Sequence, residues 1–125
     1  PTAGTSGTSG AVRWRVLWPT AQAVGTFRGP SAVNDLSVAV HLSTSALDVV
    51  ALGDLEVDGQ AGLRRRLRAE PVEGIDVVVM AHHGSARQDT ALATAVGGRL
   101  VLVAVGEGND YGHPAPSALT LYGRG

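Results

Sequence analysis

Three apolar runs in this chain each end in side chains that can bind a metal ion or move a proton. In chain order, these side chains are Asp54, the pair His82 and His83, and Asn109 with His113. Carboxylate and imidazole groups together suit Zn²⁺, Mn²⁺ or iron. If the runs are strands of one sheet, the side chains can meet at one edge of it, where α/β proteins place ligands and chemistry.

Each of these residues also has an interpretation that needs no chemistry. A Gly-Asp pair after a strand, as at Asp54, is usually a turn. One histidine of the pair can be a packing residue, and His113 before Pro114 can belong to a turn. Ser85 is most simply a helix cap worth about 1 kcal/mol, with contact to a substrate phosphate as the less favoured addition.

Alternating apolar and polar residues predict the strands of the first half. Residues 12–18 read as a half-buried strand, with Trp14 and Trp18 on one buried face. Residues 36–42 form the second predicted strand, and residues 47–52 form the third, its hairpin partner. Residues 22–30 have no clear period and read as a loop.

The second half alternates strands with helices. Apolar runs predict buried strands over residues 75–81 and 100–105. Helices are predicted to begin at residue 58 or 59, at Ser85 and at residue 116 or 117. The Ser85 start has the Ser-x-x-Gln form of a capping box. The order β-β-β-α-β-α-β-α predicts an α/β (α+β) fold, with a mixed sheet and helices on one face.

Composition narrows the class of protein. The chain has 125 residues with a net charge of −1, so it has no overall basic attraction for nucleic acid. It has no cysteine, which excludes disulfides and thiolate metal sites. Residues 1–10 are almost entirely Gly, Ser, Thr and Pro and are predicted to be a flexible leader or linker before one domain, residues 11–125. The arginines between Arg64 and Arg68 are interpreted as a solvated helix face, and His41 as a solvated strand residue.

Three motifs, taken together, resemble those of a known family. They are Val-Ala-Leu-Gly-Asp-Leu-Glu at residues 50–56, Ala-His-His-Gly-Ser at residues 81–85 and Asn-Asp-Tyr-Gly-His-Pro at residues 109–114. In this order and spacing they resemble the carboxy-terminal metallo-β-lactamase-like domain of ComEC, the competence protein family that forms the DNA-uptake channel of bacterial membranes. The resemblance extends from about Trp14 to Gly125.

The resemblance implies an αβ/βα sandwich with a metal site along one edge. By motif, Asp54 would bridge two divalent ions, Zn or Mn, and His82 would be a metal ligand. His83, beside it, would be a ligand or a supporting catalytic residue. Asn109 and His113 would lie within reach of the substrate phosphate. Two such ions can clamp a phosphate and generate hydroxide at neutral pH.

The implied function is that of a nuclease domain in a membrane channel. The parent would lie in the bacterial cell membrane, with this domain on the outer face. It would hydrolyse phosphodiesters, degrading the DNA strand that is not imported. The implied partners are single-stranded DNA and the channel portion of the parent. Two alternatives stay open: another hydrolase of the same fold, and a degenerate domain that binds DNA without cleaving it.

One departure from the family pattern limits these expectations. The family's main metal signature, His-x-His-x-Asp-His, does not occur in the chain. We therefore expect the chain to be the second half of the domain, inactive alone and binding metal weakly or not at all, because a metal site needs about four ligands. One sheet face would lack its cover, and self-association, a partner segment or local disorder is expected there. The candidates for that bared surface are Trp14, Trp18, Leu36, Val38, Val40 and Leu42.

Overall fold

The computed structural model describes residues 1–123, which form one six-stranded mixed sheet and five α-helices. Arg124 and Gly125, the last two residues of the predicted domain, lie outside the described residues. The strands are β1 (Ser6–Ser9), β2 (Val12–Trp18), β3 (Ala39–Ser43), β4 (Asp48–Ala51), β5 (Val77–Val79) and β6 (Leu100–Leu102). The helices are α1 (Ala21–Thr26), α2 (Ala32–Asp35), α3 (Val57–Ala69), α4 (Thr90–Ala95) and α5 (Pro116–Tyr122), and a 3₁₀ turn spans Ala81–Gly84.

The order of strands in the sheet follows the order in the chain. Strands β1 to β4 pair antiparallel, and β5 and β6 add to β4 in parallel. Helix α3 connects β4 to β5, and α4 connects β5 to β6, as parallel neighbours require a crossover. The predicted mixed sheet, the hairpin of β3 with β4 and the α/β class are confirmed.

One face of the sheet carries the main core. Val50 of β4 pairs with Val78 of β5, and both are fully buried. They belong to the same apolar cluster as Leu63 of α3, Leu92 of α4 and Ala118 of α5. Because helices α3, α4 and α5 all contribute to this cluster, they lie on this side of the sheet, which we call the helix-covered face.

The opposite face of the sheet is only partly buried. Its partly or more fully exposed apolar side chains, which we call the open face, are Trp14, Val40, Leu42, Val49, Ala51, Val79, Leu100 and Leu102. Leu100 and Leu102 are the most exposed of them, at 54% and 47%. The prediction of a buried strand over residues 100–105 is therefore wrong, since β6 is a short edge strand with two bared leucines.

A β-bulge separates the two tryptophans. Trp14 pairs with Leu42, but the register shifts between Val16 and Trp18, so Trp18 pairs with Ala39. Paired residues of neighbouring strands point to the same face, and Ala39 and Leu42 point to opposite faces. The prediction that both tryptophans share one face is wrong: Trp14 lies on the open face and Trp18 in the helix-covered core.

The amino-terminal segment is part of the sheet. Ser6 to Ser9 pair with β2 from Arg15 to Val12, and the Gly4 amide donates to the Val16 carbonyl at 3.0 Å. The prediction of a flexible leader over residues 1–10 is wrong for this stretch. Its small polar residues carry no apolar alternation, and backbone pairing with an existing strand is what makes it extended.

Two short helices occupy the segment between β2 and β3. The predicted loop over residues 22–30 contains most of α1, whose first turn is capped by the Thr20 hydroxyl accepting from the Ala23 amide at 3.0 Å. Helix α2 ends at Asp35, and residues 36–38 form neither helix nor strand, so the second predicted strand begins at Ala39 instead of residue 36. Within residues 1–123, no helix combines the length and the apolar character needed to cross a membrane.

Candidate metal and phosphodiester site

The parallel strands β4 and β5 deliver the first two motifs to one edge of the sheet. β4 leads to Gly53 and Asp54, and β5 leads to the 3₁₀ turn that contains the histidine pair. The Gly53 carbonyl accepts a hydrogen bond from the His82 amide at 2.9 Å. This bond ties the two turns together, and it places the Asp54 and His82 segments side by side, as the strand-end argument predicts.

Both histidines adopt a left-handed backbone conformation. The φ angle is 47° at His82 and 54° at His83. Each such residue costs on the order of 1–3 kcal/mol and clusters with functional sites in proteins. No helix starts at Ser85, because residues 86–89 are not helical and α4 begins only at Thr90.

His83 faces Asp54. Its Nε2 atom lies 3.2 Å from Asp54 Oδ1, and both side chains are about half exposed, at 51% and 50%. Its Nδ1 atom lies 2.7 Å from the Ala104 carbonyl oxygen. A carbonyl only accepts, so Nδ1 carries the proton of the neutral ring and Nε2 presents a lone pair to the carboxylate. Two acceptors at this distance need a cation between or beside them, either a second ring proton or a metal ion.

His82 faces Glu56, a residue that the sequence reasoning did not assign to the site. The His82 Nδ1 atom is buried and lies 3.2 Å from Glu56 Oε1, but without the alignment of a hydrogen bond. Arg87 approaches the other Glu56 oxygen at 3.9 Å. Glu56 immediately precedes α3 and its side chain caps none of the helix amides. The sequence offered one indication that Glu56 belongs to the site: it lies two residues after Asp54, in the same motif.

The third motif brings His113 to the same place. The His113 and His82 rings meet edge to face, with their centroids 5.8 Å apart. The Asn109 side chain forms hydrogen bonds within the loop: its Nδ2 donates to the His113 carbonyl at 2.9 Å, and its Oδ1 accepts from the His113 amide at 3.2 Å. The structure thus places His113 at the site and uses the Asn109 side chain to shape the loop that holds it.

Ser85 is buried, at 8% exposure, and does not cap a helix. Its hydroxyl lies 3.4 Å from the Arg87 carbonyl oxygen. The cap of α4 is Asp89, whose Oδ1 accepts from the Leu92 amide at 2.8 Å. The predicted capping box is wrong, and the helix terminus expected to attract a phosphate at Ser85 is not there.

A buried carboxylate supports the start of α3 behind the site. Asp35, 3% exposed, accepts a hydrogen bond from the Gly59 amide at 2.7 Å. Burial raises the pKa of Asp35 above its ordinary value, and the nearby carboxylates of Asp58 and Glu56 raise it further, while the Gly59 bond acts in the opposite direction.

The donors fit part of a metal centre. Imidazole nitrogens and carboxylate oxygens face each other in two pairs, His83 with Asp54 and His82 with Glu56. The orphaned, buried Nδ1 of His82 and the lone pair of His83 Nε2 are the atoms that a cation would satisfy. Across residues 1–123, no group of three or more His, Cys, Asp or Glu side chains is arranged to hold a metal ion.

Comparisons with known proteins give no match. No family model matches the chain, and no curated protein or solved structure matches it either. Function is therefore inferred from the three motifs and from the geometry of the edge where they meet.

Proposed function

We propose that this chain is the carboxy-terminal half of a metal-dependent phosphodiesterase domain. Its parent would be a bacterial DNA-uptake channel protein, and the domain would degrade the strand that is not imported. One observation carries the proposal: His83 Nε2 and Asp54 Oδ1 lie 3.2 Å apart, at the edge where all three motifs meet.

Asp54 and His83 are the residues that would hold the metal first, with His82 and Glu56 beside them. Divalent ions at this edge would neutralise the phosphodiester and supply a hydroxide nucleophile at neutral pH. The proposed set of ligands is thus larger than the predicted pair of Asp54 and His82. It adds His83, which contacts Asp54, and Glu56, which lies beside His82.

The chain's other residues position these groups. The Gly53–His82 backbone bond fixes the separation of the two turns, and the Ala104 carbonyl fixes the His83 tautomer. Such outer contacts orient metal-binding imidazoles in known sites. Arg87, 72% exposed and 3.9 Å from Glu56, is the cation best placed to meet a phosphate oxygen.

The decisive experiment uses the complete domain, with the segment that precedes this chain in the parent gene. Cleavage of single-stranded DNA is assayed with Mn²⁺ and with Zn²⁺. Asp54→Ala and His83→Ala are each expected to lower the cleavage rate by at least about 100-fold, a loss typical of removing a catalytic group. The matched control is His41→Ala, which removes a histidine on a different part of the sheet.

Three results would redirect the proposal. Full activity of Asp54→Ala and His83→Ala would show that the edge is not the active site. Turnover of other esters but not of DNA would favour a different hydrolase of the same fold. DNA binding without turnover of any substrate would favour a non-catalytic DNA-binding domain. The presence of many membrane spans upstream in the parent gene would support the channel assignment.

A further inference from the structure

The loop after β6 exposes an aromatic ring beside the candidate site. Tyr111 is 85% exposed, in a stretch of small and polar residues from Gly106 to Gly112. None of the contacts described above uses its ring. The exposed ring, with its apolar body and polar tip, is available to contact a molecule that lies at the candidate site.

The Tyr111 ring is the outer member of a row of rings. It stacks on His113 with an interplanar angle of 29° and a centroid distance of 6.0 Å. His113 in turn meets His82 at 5.8 Å. The row of rings runs from the exposed Tyr111 to His82, so a molecule lying on Tyr111 is bound next to the candidate site.

The loop that carries Tyr111 is braced by the Asn109 side chain. The Asn109 amide group donates to the carbonyls of Gly106 and His113, at 3.3 Å and 2.9 Å, and its oxygen accepts from the His113 amide. These bonds close the loop on both sides of Tyr111. The ring is therefore presented on a pre-organised turn, which lowers the entropy lost on binding.

The surroundings of the ring select the kind of ligand. One face of Tyr111 lies against His113, and its high exposure leaves the other face accessible. Glu107 and Asp110 are exposed carboxylates in the same loop, and they disfavour an anion at the ring itself. A flat ring without charge, such as a nucleobase, meets both conditions. Base stacking on aromatic residues is one of the two means by which proteins hold single strands without reading sequence, the other being a basic groove along the phosphates.

We propose that Tyr111 is a stacking platform for one nucleobase of a single DNA strand, whose adjacent phosphate extends toward His82 and Asp54. The identity of the strand rests on the proposed function. The inference adds a substrate feature to it, because a platform of this kind favours a strand with free bases over a paired duplex or a simple phosphodiester.

The test measures binding of labelled dT12 to the 125-residue chain by fluorescence anisotropy, with Ca²⁺ as the divalent ion. A second probe has the same length and phosphates but abasic sugars. Tyr111→Ala is expected to weaken dT12 binding roughly 5- to 100-fold, while Tyr111→Phe retains it. Abasic binding should be equal for the parent chain and Tyr111→Ala. Val33→Ala, at an exposed helix position that is 83% exposed, is the matched control.

Two outcomes would overturn the inference: dT12 binding by Tyr111→Ala that equals that of the parent chain, or no difference between dT12 and the abasic probe in the parent chain. Circular dichroism checks that the variant folds. We expect it to fold, because the Tyr111 side chain is exposed and contributes little to the core. Because the readout is binding, it is independent of turnover. If the complete domain does not cleave DNA but the chain still binds dT12 more tightly than the abasic probe, the phosphodiesterase proposal is contradicted and the stacking role of Tyr111 is not.

Discussion

Asp54 Oδ1 and His83 Nε2 lie 3.2 Å apart, although one residue follows β4 and the other follows β5. The bond between His83 Nδ1 and the Ala104 carbonyl fixes which nitrogen faces the carboxylate. An imidazole nitrogen and a carboxylate oxygen are thereby presented to the same space, and these are donor types that divalent metal ions bind.

Zn²⁺ added to the 125-residue chain is expected to perturb the ring signals of His83 and His82 in NMR spectra. Asp54→Ala and His83→Ala should each weaken the apparent affinity by about 10-fold or more, as losses around known metal centres do. His41→Ala is the control, since His41 pairs with Asp48 at another part of the sheet. Equal zinc affinity in all three variants would contradict the pair as a metal site.

Gly84 is predicted to be intolerant of a side chain. Its φ is +73°, and an added Cβ would lie 2.9 Å from the Pro114 Cβ and 3.1 Å from the Met80 sulfur. Gly84→Ala should lower the free energy of unfolding by about 2–4 kcal/mol, from the left-handed conformation and the overpacking together. Urea denaturation measures this value.

Gly112→Ala is the matched control for this prediction. Gly112 has a similar φ, +70°, but no atom lies within 4 Å of the added Cβ. Only the conformational cost of about 1–2 kcal/mol then applies. Equal losses in the two variants would show that contact with Pro114 and Met80 contributes nothing.

The pair of Asp48 and His41 is predicted to make stability depend on acid pH. The side-chain hydrogen bond with His41, at 2.7 Å, lowers the pKa of Asp48 below its ordinary value of 3.8. A lowered carboxyl pKa means that the unfolded chain binds the proton more tightly. The stabilisation is therefore present above pH 3.8 and is lost as the pH falls through the folded-state pKa.

Asp48→Asn should accordingly be less stable than the parent chain at pH 6, and the difference should shrink as the pH falls below about 4. Urea denaturation at several pH values between 6 and 2.5 measures both curves. A difference that stays constant over this range would mean that the carboxylate charge has no part in the pair.

The open face is predicted to drive self-association. Leu100 and Leu102 are about half exposed, and a second copy of the chain can remove them from water. A charged residue at the same place would oppose association, because burying a charge is costly. Sedimentation should show concentration-dependent association that Leu102→Glu reduces. Val33→Glu, at a helix position that is 83% exposed and away from the sheet, is the control. A monomer at every concentration would contradict the prediction.

The sequence was informative where apolar periodicity decides the structure. Alternation placed β2 and β3, and the apolar run of β5 led to the histidine pair at the edge where Asp54 lies. Each of these strands buries side chains that water would otherwise solvate, so the pattern of side chains reports the element directly.

The rest depends on backbone pairing and on local strain, which side-chain patterns do not encode. β1 forms by pairing with β2 and buries little of its own. The left-handed conformations of His82 and His83 replace the helix start that Ser85 suggested. Glu56 joins the site only because the turn after β4 and the start of α3 place it beside His82.

The bulge in β2 gives the chain two independent fluorophores. Trp18 is 4% exposed, and its Nε1 donates to the Asp35 carbonyl at 2.7 Å, so its emission reports on the helix-covered core. Trp14 lies on the other side of the same strand, where its emission responds to whatever comes to lie on the open face. In Trp14→Phe, the remaining fluorescence of Trp18 reports unfolding of the core. In Trp18→Phe, the remaining fluorescence of Trp14 reports binding to the open face.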